Sequence, residues 1–287
     1  MRLALGTAQF GLSYGVANSI GQVSGSAAAE ILEKARGAGI DTLDTAIAYG
    51  DSEARLGQIG VSGWKVVSKL PPLPSDVVDV DSWLEGQLVG SRKRLNIDRL
   101  DALLLHRPAD LLGKHGAAYC NALRDMRDRG FVSAVGFSIY TPAELDQLWG
   151  VFKPDLVQAP FNILDRRLVD SGWLYRMHQE GVRVHTRSAF LQGLLLMQSD
   201  GRPAWFKPWK SLLDHWLSEC LDMGKSPLEV ALGFVLSYPE IERVVVGVDS
   251  LTQFNAIVAA AHLRLDRFPD VGSDDLELID PTRWRIN

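Results

Sequence analysis

The sequence predicts an α/β protein, a single (β/α)8 TIM barrel, on three observations. Short apolar runs alternate with helix-like segments along the whole chain, and eight such runs can be marked off. Each run is mostly apolar rather than alternating, as in parallel strands buried on both faces. The length of 287 residues suits one such barrel, at roughly 250 residues. A strand followed by a helix, eight times over, favours a closed barrel; an open doubly wound sheet is the architectural alternative.

Taken in order, the strands are expected at Arg2–Thr7, Gly39–Asp44, Lys65–Lys69, Leu100–His106, Val132–Ser138, Asp155–Gln158, Val182–Arg187 and Arg243–Gly247. Leu103-Leu104-Leu105 and Val244-Val245-Val246 are the clearest of them. Ser26–Ala38 is expected to be a helix, with a serine at its start and Gly37 and Gly39 as stop signals. Asp81–Leu95, Ala117–Arg129, Thr141–Trp149 and Ser171–Glu180 follow as helices. Thr141, Pro142 and Glu144 suit N-cap, N1 and N3, and Ser226, Pro227 and Glu229 repeat that signature. Two segments break the pattern. Leu191–Pro208 is long for a strand-to-helix loop. Leu263–Asn287 is polar and contains proline. Residues 1–263 are therefore expected to form the barrel, and residues 264–287 a tail packed on it.

Composition narrows the function classes. Hydrophobic residues at 46% and charged residues at 23% suit a soluble globular protein. A net charge of −5 advertises no basic surface, so nucleic acid is not an expected partner. Cys120 and Cys220 lie in no metal-ligand spacing and are expected to be reduced thiols, with no metal. No apolar stretch approaches the roughly 20 residues of a membrane span. The opening MRLALGTAQFG is too short and polar for a signal peptide, so the expected compartment is the cytoplasm.

In such barrels chemistry sits at the C-terminal ends of the strands. Asp44 ends the second strand, with Tyr49 five residues on; Lys69 ends the third and His106 the fourth. Each has a bland explanation: a turn cap, a packing ring, a solvated charge, a satisfied core histidine. The conjunction is what carries weight. Free tyrosine, with a pKa near about 10, protonates an alkoxide poorly at neutral pH. An ammonium such as Lys69 lowers that value, a carboxylate such as Asp44 holds the ammonium, and His106 orients the substrate oxygen.

The segments DTAIAYGDSEARLG, VVSKL and LLLHRP closely resemble motifs of the aldo-keto reductase superfamily, and the resemblance covers nearly the whole chain. The opening GTAQFGLSYGVAN resembles a bacterial subgroup. The resemblance implies a catalytic tetrad of Asp44, Tyr49, Lys69 and His106. It also implies an NAD(P)H cofactor extended across the barrel mouth, without a Rossmann fingerprint. Its cofactor contacts fall on Gly6 and Thr7 in the first strand, and on Ser138 and Gln158 at the carboxamide. Ile139 stands where the family has asparagine, and Asn162 is a nearby substitute. Arg187 replaces a stacking tyrosine, and can stack as a guanidinium plane unless it is a structural ion-pair residue; Ser188 meets the pyrophosphate. Gly247, Ser250 and Gln253 match the phosphate-end motif, while Ile257 replaces an asparagine. NADPH is the family default. Asp249 replaces an arginine that would hold the 2′-phosphate, so NADH is the alternative; the lean to NADPH rests on Arg243 or a nearby lysine compensating.

The expected partner is a small-molecule carbonyl substrate. Phe10, Leu12, Tyr14, Tyr140, Trp205, Phe206 and Trp209 are candidates to wall its pocket, the tryptophans equally candidates to cover the rim. Arg107 is a candidate for an acidic substrate or a structural ion pair. The expected reaction is NAD(P)H-dependent reduction of an aldehyde or ketone with tyrosine as general acid. Three alternatives stand beside it: sugar or polyol oxidation, a nucleotide-binding regulatory subunit, and a lyase or aldolase using Lys69 as a Schiff-base amine.

Overall fold

The computed structural model describes residues 1–286; Asn287, the last residue of the expected tail, lies outside them. Eight parallel strands close into a barrel in chain order, with the first paired to the last. They are β1 (Leu3–Gly6), β2 (Thr42–Asp44), β3 (Lys65–Leu70), β4 (Leu100–Leu105), β5 (Val132–Ser138), β6 (Leu156–Pro160), β7 (Arg183–Arg187) and β8 (Arg243–Gly247). All eight expected strands are present, and their ends shift by a few residues at most. The largest shift is at β2. Gly39 has a φ of +75°, and the backbone N–H groups of Gly39 and Ile40 still cap the preceding helix through Arg36 O and Ala35 O. The strand begins only after that cap is complete.

Alternation along the strands decides what the barrel interior contains. Val67, Ala102, Leu104, Ala134 and Leu156 pack as a small cluster apart from the main core. Two residues beyond Val67, Leu104 and Leu156 on the same face come Lys69, His106 and Gln158; Ser138 lies four beyond Ala134. An apolar plug thus sits beneath a ring of polar groups at the C-terminal mouth.

The expected helices are present, at Gly25–Gly37, Val80–Leu95, Gly116–Asp128, Ala143–Leu148 and Trp173–Gln179. Ser226 makes a full capping box with Glu229 ahead of the helix Pro227–Leu236. Thr141 does not cap. The helix there starts at Ala143, and Glu144 instead accepts from the backbone N–H groups of Tyr140 and Thr141 at 2.7 and 2.9 Å. Three further helices of eight residues or more, Ser52–Ile59, Lys210–Asp222 and Leu251–Ala260, lie outside the expected ranges. The long segment after β7 is folded into 3₁₀ turns at Leu191–Leu196, Ser199–Gly201 and Ala204–Trp209.

That last turn holds the chain terminus. Trp205 Nε1 donates to Glu277 O at 3.3 Å and Trp209 Nε1 to Asp275 Oδ2 at 2.8 Å. Phe206 meets Trp284 edge-on at 4.9 Å. Arg166 pairs with Asp270 at 3.0 Å, and Val271, Leu278 and Ile279 are buried. Residues 269–286 are therefore held against the loops that follow β6 and β7 through Asp270, Asp275, Glu277 and Trp284.

Candidate active site

Strand register brings the four expected catalytic side chains together. Asp44 pairs with Val67 across β2 and β3, and Lys69 with Leu104 across β3 and β4. Lys69 Nζ donates to Asp44 Oδ2 at 2.7 Å and to Thr45 O at 2.9 Å. The Tyr49 ring covers that ammonium, with its centroid 5.1 Å from Lys69 Nζ. The His106 ring lies 5.7 Å from the Tyr49 ring, tilted by 57°. Asp44 and Lys69 are buried, while Tyr49 and His106 are partly open to the mouth. The ion pair is thus the floor of the site, and the phenol and imidazole are its working face.

Burial dominates the electrostatics. Burial holds Lys69 below its ordinary value, outweighing the charge and hydrogen bond of Asp44, which raise it. Burial, joined by the charge of Asp44, pushes the Tyr49 phenol above its ordinary value, while Arg187 pulls it down. This differs from the sequence expectation that Lys69 would lower Tyr49. Burial is the main reason; in addition Asp44, at 2.7 Å, offsets the Lys69 charge, so the cation that pulls the phenol down is Arg187. Burial, together with the Lys69 charge, brings His106 down to about 3, so its imidazole is neutral near pH 7.

A cleft of about 340 Å³ runs from this site across the mouth. Of the expected cofactor residues, Gly6, Thr7, Arg187, Ser188, Gly247 and Gln253 line it. Ser250 N-caps the helix Leu251–Ala260 by accepting from Gln253 N. Ser138 is buried at the end of β5, opposite Gln158 in register. Gln158 Nε2 donates to Asp44 Oδ1 at 2.6 Å, and its Oε1 is buried without a hydrogen-bond partner. A buried orphan acceptor is costly. It lies one hydrogen bond behind Asp44, which lines the cleft, and its chemistry suits a ligand amide N–H₂. Gly247 leaves bare backbone beside the cleft; a Cβ there would stand 2.6 Å from the Gln9 side chain. An orphan amide acceptor behind Asp44 and bare glycine backbone at Gly247 are donor and contact types that fit an elongated dinucleotide.

Several expectations fall elsewhere. Asn162 does not substitute for the asparagine replaced by Ile139: its Oδ1 accepts from the N–H groups of Leu164 and Asp165, and its Nδ2 donates to Ser188 O. It is a turn residue. Phe10 and Phe206 are fully buried, and Trp205 and Trp209 bind the terminal segment, so none of these four walls the mouth. Arg107 pairs with Asp110 at 2.7 Å and donates to Leu73 O. Arg243 stands at the opposite end of β8 from the mouth, paired with Asp41 at 3.2 Å, so it cannot compensate for Asp249. Arg187 stays at the mouth, stacked 4.6 Å from Tyr140 and donating to Ile139 O.

Tyr14, one of the expected pocket residues, lines the cleft, and Gln192 and Asn18, which sequence reasoning missed, line it too. Gln192 Nε2 donates to the Tyr14 hydroxyl at 3.3 Å, and Asn18 Nδ2 to Asp249 Oδ1 at 3.1 Å. The signal for Asn18 is its place in a turn flanked by Gly15 and Gly21, but its partner lies 231 residues away. Ser188, Leu191 and Gln192 have φ values of +63°, +46° and +53°, so the loop beside the cleft carries backbone strain.

The Aldo/keto reductase family model matches residues 2–268. An uncharacterized oxidoreductase of Mycobacterium tuberculosis is 26% identical, covering 92% of this chain and 85% of that protein. A probable voltage-gated potassium channel subunit beta of Oryza sativa is 25% identical, covering 86% of this chain and 85% of that one. Among solved structures, the holo form of an aldo-keto reductase from Bacillus halodurans superposes with a TM-score of 0.72 at 21% identity, covering 92% of this chain and 88% of that one.

Proposed function

The chain belongs to the aldo/keto reductase family, and we propose that it is a nicotinamide-dependent carbonyl reductase in which Tyr49 gives the proton. The observation that carries this reading is the stack at the mouth: a buried Asp44–Lys69 pair beneath the Tyr49 ring, with His106 beside it. The cofactor, when bound, supplies a hydride to the carbonyl carbon. The substrate oxygen lies between the Tyr49 hydroxyl and the His106 ring. His106, neutral at working pH, donates a hydrogen bond that polarises the carbonyl without adding charge. As negative charge builds on that oxygen, Tyr49 transfers its proton there, and solvent at the open mouth restores it. A phenol with a raised pKa remains a stronger acid than an alcohol, so the transfer runs downhill.

Gln158 Oε1, Ser138, Ser188 and Arg187 are suited to hold the nicotinamide half, and Gly247, Ser250 and Gln253 the rest. The family-level activity is that of an oxidoreductase, and the direction proposed is reduction. Lys69 is spent on Asp44 and Thr45 O, which opposes a Schiff-base role. The likeness to a channel β subunit keeps a second reading alive, a nucleotide-binding regulatory protein with little turnover. One experiment separates the two. Dihydronicotinamide oxidation is followed by absorbance with a panel of aromatic aldehydes and keto-sugars, for the wild type and Tyr49→Phe. Turnover that falls about 10²–10⁴-fold in the variant, with cofactor affinity kept, supports the reductase. A variant as fast as wild type sinks the Tyr49 assignment, and tight cofactor binding without turnover favours the regulatory reading.

A further inference from the structure

We infer that Asp249, braced by Asn18, makes this cleft select NADH over NADPH. The inference rests on the reductase reading above. Reduction occurs at Tyr49, so the nicotinamide lies at that end of the cleft. The rest of an extended dinucleotide must run to the other end, where Asn18, Asp249, Gln253 and Ile257 form the wall. The two cofactors differ there by one group, a phosphate on the 2′-oxygen of the adenosine ribose.

The charges at that end favour the free hydroxyl. Among the described residues lining the cleft, Arg187 is the only arginine or lysine. It is committed at the nicotinamide end to Tyr140 and Ile139 O. Arg243 is at the far end of β8. Asp249 is also held in place. Its Oδ1 accepts from Asn18 Nδ2 at 3.1 Å, and its backbone N–H donates to Gln253 Oε1 at 2.9 Å. Asn18 is itself pinned, accepting through Oδ1 from the N–H groups of Ile20 and Gly21 at 2.9 and 2.7 Å. Asp249 Oδ2 has only a long 3.5 Å contact from Gln253 Nε2, so it is available to accept from a ribose hydroxyl. A phosphate dianion in the same place meets a fixed carboxylate with no cation to offset it.

The test is equilibrium binding of NADH and NADPH at pH 8 by isothermal titration calorimetry, for the wild type and Asp249→Asn. The expected result is NADH binding at least about tenfold tighter than NADPH in the wild type, with the ratio falling roughly tenfold in the variant. Raising salt should narrow the wild-type ratio, because screening weakens a repulsion; a cationic 2′-phosphate site would show the reverse. Wild-type NADPH binding as tight as NADH, or tighter, overturns the inference. So does a ratio that the substitution leaves unchanged, or a ratio that widens with salt. Binding of neither dinucleotide overturns the reductase reading beneath it.

Discussion

Lys69 is a fully buried ammonium, and such a group persists only because Asp44 and Thr45 O accept from it. Its presence at a strand end was legible from the sequence, as were Asp44, Tyr49 and His106. Two-residue alternation and strand register place such ends on one rim. The direction of the Tyr49 shift was not legible. It follows first from burial of the phenol and then from the Asp44 charge, and burial depends on how distant loops close around the ring. The consequence is a pH profile. Tyr49 is raised, so it is protonated below its folded pKa, and His106, at about 3, is neutral above that. Neither group changes charge between pH 6 and pH 9. The rate of reduction is expected to vary less than about threefold over that window when chemistry limits, while alcohol oxidation, which needs the phenolate, climbs throughout. Steady-state rates in both directions check this; a reduction rate that falls tenfold by pH 8 would contradict it. Asn18 and Gln158 were illegible as partners of Asp249 and Asp44, because pairs separated by more than a hundred residues leave no periodic trace.

At the level of elements, Gly136 in β5 is required by the neighbouring strand. A Cβ there would stand 1.7 Å from Leu156 O in the neighbouring strand. Its smallness serves strand packing beneath Ser138, not the cleft. Gly136→Ala is expected to destabilise the protein by about 1–3 kcal/mol through overpacking, read as a lower denaturation midpoint in urea at unchanged slope; an unchanged midpoint would refute the crowding. The short helix Ser52–Ile59 was overlooked because eight residues give little periodicity. What fixes it is Glu53, buried and accepting from Ser68 Oγ, Ser91 Oγ and Arg94 Nε. Lys210–Asp222 was legible in principle, from Leu213, Trp216 and Cys220 on one face. The tryptophan-rich segment before it drew the reading toward loop.

The molecule as a whole follows its sequence in strand count, closure and the gathering of Asp44, Tyr49, Lys69 and His106 at one end of the barrel. The family match ends at Phe268, and the segment beyond it is where sequence gave least guidance, since its hold depends on indole donors contributed from Trp205 and Trp209. Truncation after Phe268 removes Val271, Leu278 and Ile279 from burial and strips three aromatic partners. A fall in Tm of at least about 5 °C is expected, measured by thermal melts; an unchanged Tm would mean that the segment only rests on the barrel. With Trp205, Phe206 and Trp209 occupied by the terminal segment, the outer mouth is walled by Tyr14 and Arg187, with Tyr140 stacked on the Arg187 guanidinium. These sit on loops and a strand end that bear no part of the terminal clamp. New substrate tastes are therefore within reach of single replacements at positions 14 and 140, and descendants of this scaffold can diverge in diet while inheriting the same fold and the same buried Asp44–Lys69 floor.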